Sequence, residues 1–143
     1  MGLDQYATAR KGEPHKIEEE YTYTDQDGVE QKGVNEYLKW DDTIQLAEWR
    51  KHPNLQGWME NLWHEKGCPN DEGGGFNCID LVLTKYDLFS LEEALDKKQL
   101  PETAGFFFGD NADDHYAEAD REFIVQAHAA LKKGYTVVYS SWW

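Results

Sequence analysis

The sequence predicts an α+β protein with a mixed or mainly antiparallel sheet of four to six strands and helices packed on one face. Segments near both ends of the chain alternate or are rich in β formers, whereas three inner stretches carry apolar residues at helical spacing. The 143 residues suit a single domain. Aromatic residues make up 14% of the chain, which argues against disorder because large rings supply burial.

The N-terminal third reads as sheet. Residues 2–9 alternate in polarity and predict a strand, which we expect Lys11-Gly12-Glu13-Pro14 to end. Residues 15–36 are very polar and predict an exposed hairpin or mobile loop, with Asp27-Gly28 as its turn. Residues 36–40 predict a short strand or the approach to a helix.

The next stretch predicts helix. Its apolar residues recur at helical spacing, after Asp42 as a possible cap. Pro53 lacks an N–H and clashes with the preceding turn, so we expect two helices, at 43–51 and 54–65, or one kinked helix. The apolar residues are Ile44, Leu46, Ala47, Trp49, Leu55, Trp58, Met59, Leu62 and Trp63.

The middle of the chain alternates loop, strand and helix. Residues 67–75 are rich in glycine and predict a loop, and residues 78–83 predict a strand. Thr84 and Asp87 have the spacing of a capping box, which predicts a helix over 85–98 that ends before Pro101.

The last third predicts one more helix between two strands. The aromatic run at 105–109 predicts a buried strand, because short apolar runs bounded by glycine are typical of core strands. A helix over 112–133 follows, with Gly134 well placed to end it. Residues 135–142 contain strong β formers and predict the final strand.

Charge excludes several functions. Lys and Arg number 14 against 28 Asp and Glu, a formal charge of −14, so we expect no direct binding to nucleic acid. No apolar run is long enough for a membrane span or a signal peptide, which predicts a soluble intracellular protein without a membrane partner. The two cysteines fit free thiols in a reducing compartment.

Two candidate sites involve a possible metal ion. His64, Cys68 and Cys78, with a fourth ligand such as Asp71, could hold Zn²⁺, but the chain has no Cys-x-x-Cys pair and we favour unmodified thiols. Residues 110–120 contain carboxylates and His115 that could bind Mg²⁺ or Ca²⁺ or act in acid–base chemistry. We favour the simpler interpretation, since acidic residues are expected in a helix's first turn. We therefore expect no metal and no cofactor.

Two further candidates concern anions and aromatic rings. Trp49-Arg50-Lys51-His52 could clamp a phosphate or carboxylate while a ring stacks on a base, although core tryptophans beside a solvated cationic face are the favoured alternative. The glycine-flanked run Phe106–Phe108 precedes a helix start that could bind an anion, but nearby aspartates favour capping and a packed strand.

Several short motifs are spread along the chain: Met1-Gly2-Leu3-Asp4, Trp49-Arg50-Lys51, Trp58-Met59, Asn77-Cys78, Leu100-Pro101, Gly105–Gly109 and Tyr139-Ser140-Ser141-Trp142. Together they resemble a group of small phage-encoded proteins that begin Met-Gly-Leu-Asp-Met-Tyr. The similarity covers the first six residues and about 40–143, with departures at Gln5, Gln56 and Thr84. It implies a phage origin and an infected bacterial cytoplasm, and it implies no reaction.

We expect binding rather than catalysis, because phosphate-loop, nucleophile-elbow, zinc-protease and dinucleotide motifs do not occur in the sequence. The leading hypothesis is a phage accessory protein that binds a host protein or a small molecule. The alternatives are a pocket-based small-ligand-binding enzyme, with nucleotides as one candidate ligand class, and an acidic mimic of DNA that inhibits a basic host protein. The expected ligand-binding residues are Arg50, Lys51, Gln56, Trp58, Phe108, Tyr139 and Trp142.

Overall fold

A computed structural model describes residues 2–104 and 113–143 of the chain. The described residues form β1 (Asp4–Thr24), β2 (Glu30–Arg50), α1 (Pro53–Glu65), β3 (Leu81–Leu83), α2 (Lys85–Asp96), α3 (Asp113–Lys132) and β4 (Thr136–Trp142). The four strands make one antiparallel sheet in the order β2-β1-β4-β3. The α+β prediction is confirmed, at the low end of the predicted strand number.

One face of the sheet packs against the helices. Along β1 the side chains of Gln5, Ala7 and Ala9 are buried, as are Val137 and Tyr139 on β4, which follows from the period-2 alternation of strands. Rings and aliphatic chains from all three helices complete this core. They are Leu55, Met59, Trp63, Leu88, Leu91, Phe123, Ile124, Ala127 and Ala130.

β1 and β2 are much longer than the rest of the sheet. Strand β4 pairs with β1 only from Asp4 to Arg10, whereas β1 and β2 stay paired as far as Thr24 and Glu30. Residues 11–42 therefore project as a two-stranded ribbon, which we call the arm. At about 3.3 Å per residue, the stretch from Pro14 to Thr24 spans about 35 Å. The hairpin predicted at 15–36 is present within it.

The prediction that Lys11–Pro14 would end the first strand is wrong. The strand continues through a β-bulge, in which the pairing shifts between Lys11 and Pro14. Gly12 has φ +87°, and a Cβ there would meet the Asp41 carboxylate, so the bulge needs glycine. Pro14 is accommodated because a bulge interrupts the regular ladder of N–H donors.

The helix predicted at 43–51 is wrong, because residues 43–50 belong to β2. A second bulge places Leu46 outside the pairing, since Ala47 pairs with Ala7 and Gln45 pairs with Thr8. The apolar positions on each side of the bulge are consequently shifted by one residue. That shift turned a strand alternation into a spacing that resembles a helix.

The other predicted helices agree with the structure to within two residues. Pro53 occupies the first turn of α1, and Thr84 caps α2 with the complete capping box that its spacing predicts. Helix α3 covers the described part of the predicted helix at 112–133. The strand predicted at 78–83 is shorter, because only Leu81–Leu83 pair with β4. The strand predicted at 105–109 lies outside the described residues.

Candidate functional site

A cavity of about 580 Å³ lies between the end of α2 and the first half of α3. Ala94, Leu95 and Leu100 form its apolar side. Its polar side includes Asp113 and Asp120 of α3. Cavities of this size, with an apolar wall and a few convergent polar groups, are typical of small-molecule sites.

One lining residue, Asp120, belongs to a buried histidine–aspartate pair. His52 Nε2 is 2.8 Å from Asp120 Oδ2, and the exposed fractions of the two side chains are 0% and 1%. The Trp49 indole N–H donates to the other carboxylate oxygen of Asp120 at 2.9 Å. Both oxygens of this buried carboxylate therefore have a donor, as burial of a polar group requires.

The turn between β2 and α1 places His52 in the core. Lys51 adopts a left-handed conformation with φ +56°, and His52 precedes Pro53, which disfavours a helical conformation at His52. The Gln5 side-chain amide then pairs with the His52 backbone, accepting from its N–H at 2.8 Å and donating to its carbonyl at 3.0 Å. The Gln5 side chain thus makes the two hydrogen bonds to the His52 backbone that a neighbouring strand would otherwise make.

The second ring nitrogen of His52 faces the start of α3. His52 Nδ1 is buried, makes no hydrogen bond among the described residues, and lies 3.8 Å from Asp113 Oδ1. The amide of Asn54 donates to Asp113 Oδ2 at 3.1 Å. The Tyr116 ring stacks on the imidazole at 5.0 Å, and its hydroxyl bonds both backbone groups of Arg50.

A second buried polar network adjoins the first through Gln5. The Tyr139 hydroxyl donates to Gln56 Oε1 at 2.5 Å and accepts from the Gln5 amide at 3.0 Å. Burial raises the pKa of Tyr139 far above its ordinary value, so the phenol stays protonated and remains a donor. Gln56 Nε2 has no hydrogen-bond partner among the described residues.

The structure separates most of the seven residues expected to bind a ligand. Gln56 and Tyr139 meet in the core, as described above. The Arg50 side chain is 70% exposed at the end of β2, and Lys51 is also exposed. Trp58 is half-buried against the core. Trp142 is exposed at the end of β4, where it pairs with Asp4, the residue that also pairs with Arg50 from the other side. Phe108 lies outside the described residues.

The candidate metal ligands are arranged differently from a metal site. His64 Nδ1 is 3.3 Å from Cys68 Sγ, and Cys78 is exposed. Within residues 2–104 and 113–143, no three His, Cys, Asp or Glu side chains are grouped so that they could hold a metal ion. Asp110 of the acidic cluster at 110–120 lies outside the described residues, whereas Asp113, Asp114 and His115 line the cavity.

Sequence reasoning missed the pairing of His52 with Asp120. A signal was present in α3, because Asp120 stands among apolar residues at buried helical positions, four residues after Tyr116 and three before Phe123. A carboxylate at such a position requires a buried partner. Nothing local identified that partner, which lies 68 residues away in sequence.

The arm is the second feature with functional potential. Alternation places Ile17, Tyr21, Tyr23 and Tyr37 on one face, and the exposed fractions of the three tyrosines are 43%, 50% and 44%. We call this set the aromatic face. Tyr21 lies over Gly33 of the opposite strand, where a Cβ would meet its ring. The other face carries four glutamates and two lysines among neutral residues, and on it Lys16 lies 3.2 Å from Glu36.

Contacts at its base orient the arm. Lys11 Nζ donates to the Lys133 carbonyl at 3.0 Å and lies over the Tyr135 ring. The Tyr135 hydroxyl donates to Asp42, and that hydrogen bond raises the pKa of the phenol. Beyond these residues, His15 and Asp41 pair within the arm itself. The arm is therefore anchored at its base.

None of the helices described here is long and apolar enough to cross a membrane. Comparison with protein families, with curated proteins and with solved structures finds no match to this chain.

Proposed function

We propose that this protein functions by binding another protein through the arm. The observation that carries the proposal is the projection of residues 11–42 beyond the four-stranded sheet, with mostly exposed side chains on both faces. A two-stranded hairpin is only marginally stable by itself in water. None of its residues belongs to the core formed by the described residues, so packing of that core does not account for the ribbon.

The aromatic face supplies the contact surface. Tyrosine is enriched at the energetic centres of protein interfaces, because its ring buries a large area and its hydroxyl keeps a polar partner. The Tyr37 hydroxyl already donates to Glu19 at 2.8 Å, which orients that ring. Tyr21 and Tyr23 lie 6.0 Å apart and form one continuous patch.

Charge indicates the chemistry of the partner. The arm holds ten carboxylates and four lysines, a net charge of −6, within a chain whose formal charge is −14. Such a surface attracts a basic protein and speeds its association at low salt. It repels nucleic acid, whose binding requires clustered Lys and Arg. We therefore propose a partner with a basic surface next to an apolar patch.

We propose, from the resemblance of the sequence to small phage proteins, that this partner is found in the infected bacterial cytoplasm. Under this proposal the protein is a phage accessory protein and its partner is a host protein. An acidic DNA mimic is the second candidate, favoured by Glu18, Glu20 and Glu36 on one face of the arm. Because Lys16 and Lys32 interrupt that row of carboxylates, we favour binding through the aromatic face over DNA mimicry.

The experiment uses the full chain as bait in lysate of the bacterial host. Proteins captured by the wild type are compared with those captured by Tyr21→Ala/Tyr23→Ala and by the control Tyr86→Ala, whose tyrosine is 70% exposed on α2. A captured protein is then purified, and its dissociation constant with each variant is measured. We expect the double variant to weaken binding at least tenfold, since interface aromatics are frequent hot spots.

The binding site is mapped on the same complex by hydrogen exchange. The proposal predicts protection of arm amides in the complex and weaker binding at higher salt. Equal binding by the wild type and the double variant would contradict it, as would protection confined to the helices. Binding that survives the tyrosine substitutions but is lost when Glu18, Glu20 and Glu36 become Gln would instead support the DNA-mimic candidate.

A further inference from the structure

We propose that two copies of this chain pair through the outer edge of β2, so that their arms form one four-stranded antiparallel ribbon. This pairing leaves both faces of each arm uncovered, and it does not depend on the function proposed for the aromatic face. Three observations carry the inference. They are the open edge of β2, the exposed apolar side chains along it, and the complementary charges that β2 presents to an antiparallel copy of itself.

The outer edge of β2 carries backbone groups that no other strand of the described sheet binds. β2 is the last strand in the order β2-β1-β4-β3. The Asp25 N–H donates to the Val29 carbonyl at 3.0 Å, so the alternation of an antiparallel ladder directs every second pair of N–H and C=O groups, from Lys32 to Trp40, away from β1. A two-stranded ribbon is only marginally stable in water, and further strands stabilise it.

The two free edges of the arm differ in how they are protected. The edge of β1 contains Pro14, which has no N–H, a bulge just before it, and three consecutive carboxylates at 18–20. Proline, bulges and charge are the features that keep edge strands from pairing with other chains. From Glu30 to Ile44, β2 has no proline and no inserted residue. The edge of β2 is therefore the one that accepts another strand.

One antiparallel register pairs the whole stretch from Glu30 to Ile44 with its copy, and that register is centred on Tyr37. It places Lys32 of each copy opposite Asp42 of the other copy, and it sets no two like charges directly opposite each other. Opposite charges on facing strands stabilise a sheet, whereas directly opposed like charges destabilise it. The longest possible pairing thus also has complementary charges.

The same register brings exposed apolar side chains together. Val34, which is 53% exposed, lies opposite Trp40 of the other copy. Leu38, which is 64% exposed, lies diagonal to Val34 and to Leu38 of the other copy. On the opposite face, the two copies of Tyr37 lie side by side. Aromatic and β-branched side chains at such positions contribute to sheet stability.

The paired segment carries little of the acidic charge of the chain. Residues 30–44 contain four carboxylates and two lysines, a net charge of −2 within a total of −14. The two copies of Glu36 lie diagonal to each other near the centre of the contact. Each has Lys16 of its own arm at 3.2 Å, which offsets that repulsion. A second copy is therefore electrostatically compatible with this edge.

The first test measures the mass of the full chain by sedimentation, from low micromolar to several hundred micromolar concentration. We expect a reversible equilibrium that stops at twice the chain mass of 16.6 kDa. Leu38→Pro removes an N–H that points away from β1, and by symmetry the dimer loses two hydrogen bonds. The dissociation constant should rise at least tenfold. Thr22→Pro, at an outward position on the other free edge, is the matched control and should leave the dissociation constant unchanged.

The second test reports the register and does not depend on a proline variant. In a Cys68→Ser/Cys78→Ser background, Tyr37→Cys places two thiols opposite each other at a non-hydrogen-bonded position. The Cα atoms there lie about 4.5 Å apart, a separation that a disulfide spans. A mild thiol oxidant should therefore cross-link this variant into a covalent dimer. Lys39→Cys, whose position lies opposite Asn35, should cross-link far more slowly.

Four results would overturn the inference. A wild-type chain that stays monomeric over the whole concentration range would do so, as would a mass that grows beyond the dimer. Equal association of the Leu38→Pro and Thr22→Pro variants would exclude the edge of β2. Faster cross-linking of Lys39→Cys than of Tyr37→Cys would refute the register. Each of these results leaves the binding of a basic partner to the aromatic face to its own experiment.

Discussion

The His52–Asp120 pair buries a carboxylate almost completely, and the free-energy cost of that burial explains the geometry of the pair. A carboxylate that loses water must recover its hydrogen bonds within the protein. Asp120 recovers them from the Trp49 indole and the His52 ring, so a strand, a turn and a helix meet at one side chain. The pair therefore ties α3 to the end of β2 and to the turn that follows it.

Replacing Asp120 with Ala should lower the free energy of unfolding by about 3–5 kcal/mol, because the change leaves two buried donors without an acceptor. Asp120→Asn should lower the free energy of unfolding by a smaller amount, since one amide oxygen remains to accept a hydrogen bond. Urea unfolding measures both. Glu118→Ala, at an exposed position of the same helix, should change stability by no more than about 0.5 kcal/mol. Equal costs at the two positions would show that the buried pair does not stabilise the fold.

The turn of the arm depends on a single carboxylate, Asp25. Its Oδ1 accepts from the Val29 and Asp27 N–H groups at 2.9 and 3.0 Å, and its Oδ2 accepts from the Gln31 amide. These hydrogen bonds, the one from Val29 first, hold the pKa of Asp25 below its usual range. The sequence indicated Asp27-Gly28 as the turn, but the side chain that closes it lies two residues earlier.

Because the folded-state pKa of Asp25 is lowered, its contribution to the turn is present above the ordinary aspartate pKa. It is lost as the pH falls through the lowered value. A titration followed by NMR should show the Val29 and Asp27 amide signals, whose N–H groups donate to this carboxylate, moving in acid, below the range of an ordinary aspartate. Asp25→Asn should abolish that movement, whereas Asp27→Asn should retain it. A transition that follows Asp27 would refute this account.

Among the elements, the two long strands were hardest to predict because each contains a bulge. A bulge inserts one residue and reverses the alternation that identifies a strand. The bulges lie on opposite strands, one at Gly12–Glu13 of β1 and one at Leu46 of β2. The second therefore cancels the register shift made by the first. In contrast, the start of α1 and the start of α2 are each marked by nearby residues in the sequence, namely Pro53 for α1 and the Thr84 capping box for α2.

The capping box of α2 gives a prediction at this scale. The Thr84 hydroxyl accepts from the Asp87 N–H at 3.3 Å, and the Asp87 carboxylate accepts from the Thr84 N–H at 2.8 Å. Thr84→Ala should reduce the free energy of unfolding by about 1 kcal/mol. Thr84→Ser keeps the hydroxyl and should reduce the free energy of unfolding by clearly less. Chemical denaturation distinguishes them, and equal losses would mean that the cap hydrogen bond contributes little.

At the scale of the whole molecule, the described residues form a packed core and an arm whose side chains lie outside that core. No residue of the arm belongs to the described hydrophobic core, whereas Ala7, Ala9 and Trp49 at the near ends of the same strands do. One pair of strands thus serves two purposes. The near halves close the sheet over the helices, and the far halves carry exposed tyrosines and carboxylates into solvent.

Removal of the arm should leave the core folded. Lys11 and Asp42 are paired neighbours, so Asn-Gly can replace residues 12–41 as a two-residue hairpin turn. We expect a cooperative thermal transition within a few degrees of the full-length protein, and a smaller urea m-value because less surface is exposed on unfolding. Loss of the cooperative transition would show that the arm contributes to folding. In that case the function proposed for the arm would lose its main support.

The sequence by itself determined the α+β class, the limits of three helices, the hairpin turn region and the acidic charge, because periodicity, caps and charge are local properties. The tertiary structure alone decided that residues 43–50 are strand, that β1 continues past Lys11, and that His52 meets Asp120. Each of these depends on groups distant in the chain: a bulge is defined by the opposite strand, and a buried carboxylate by a donor 68 residues away. The cavity is non-local for the same reason, since it exists only where α2 and α3 pack together.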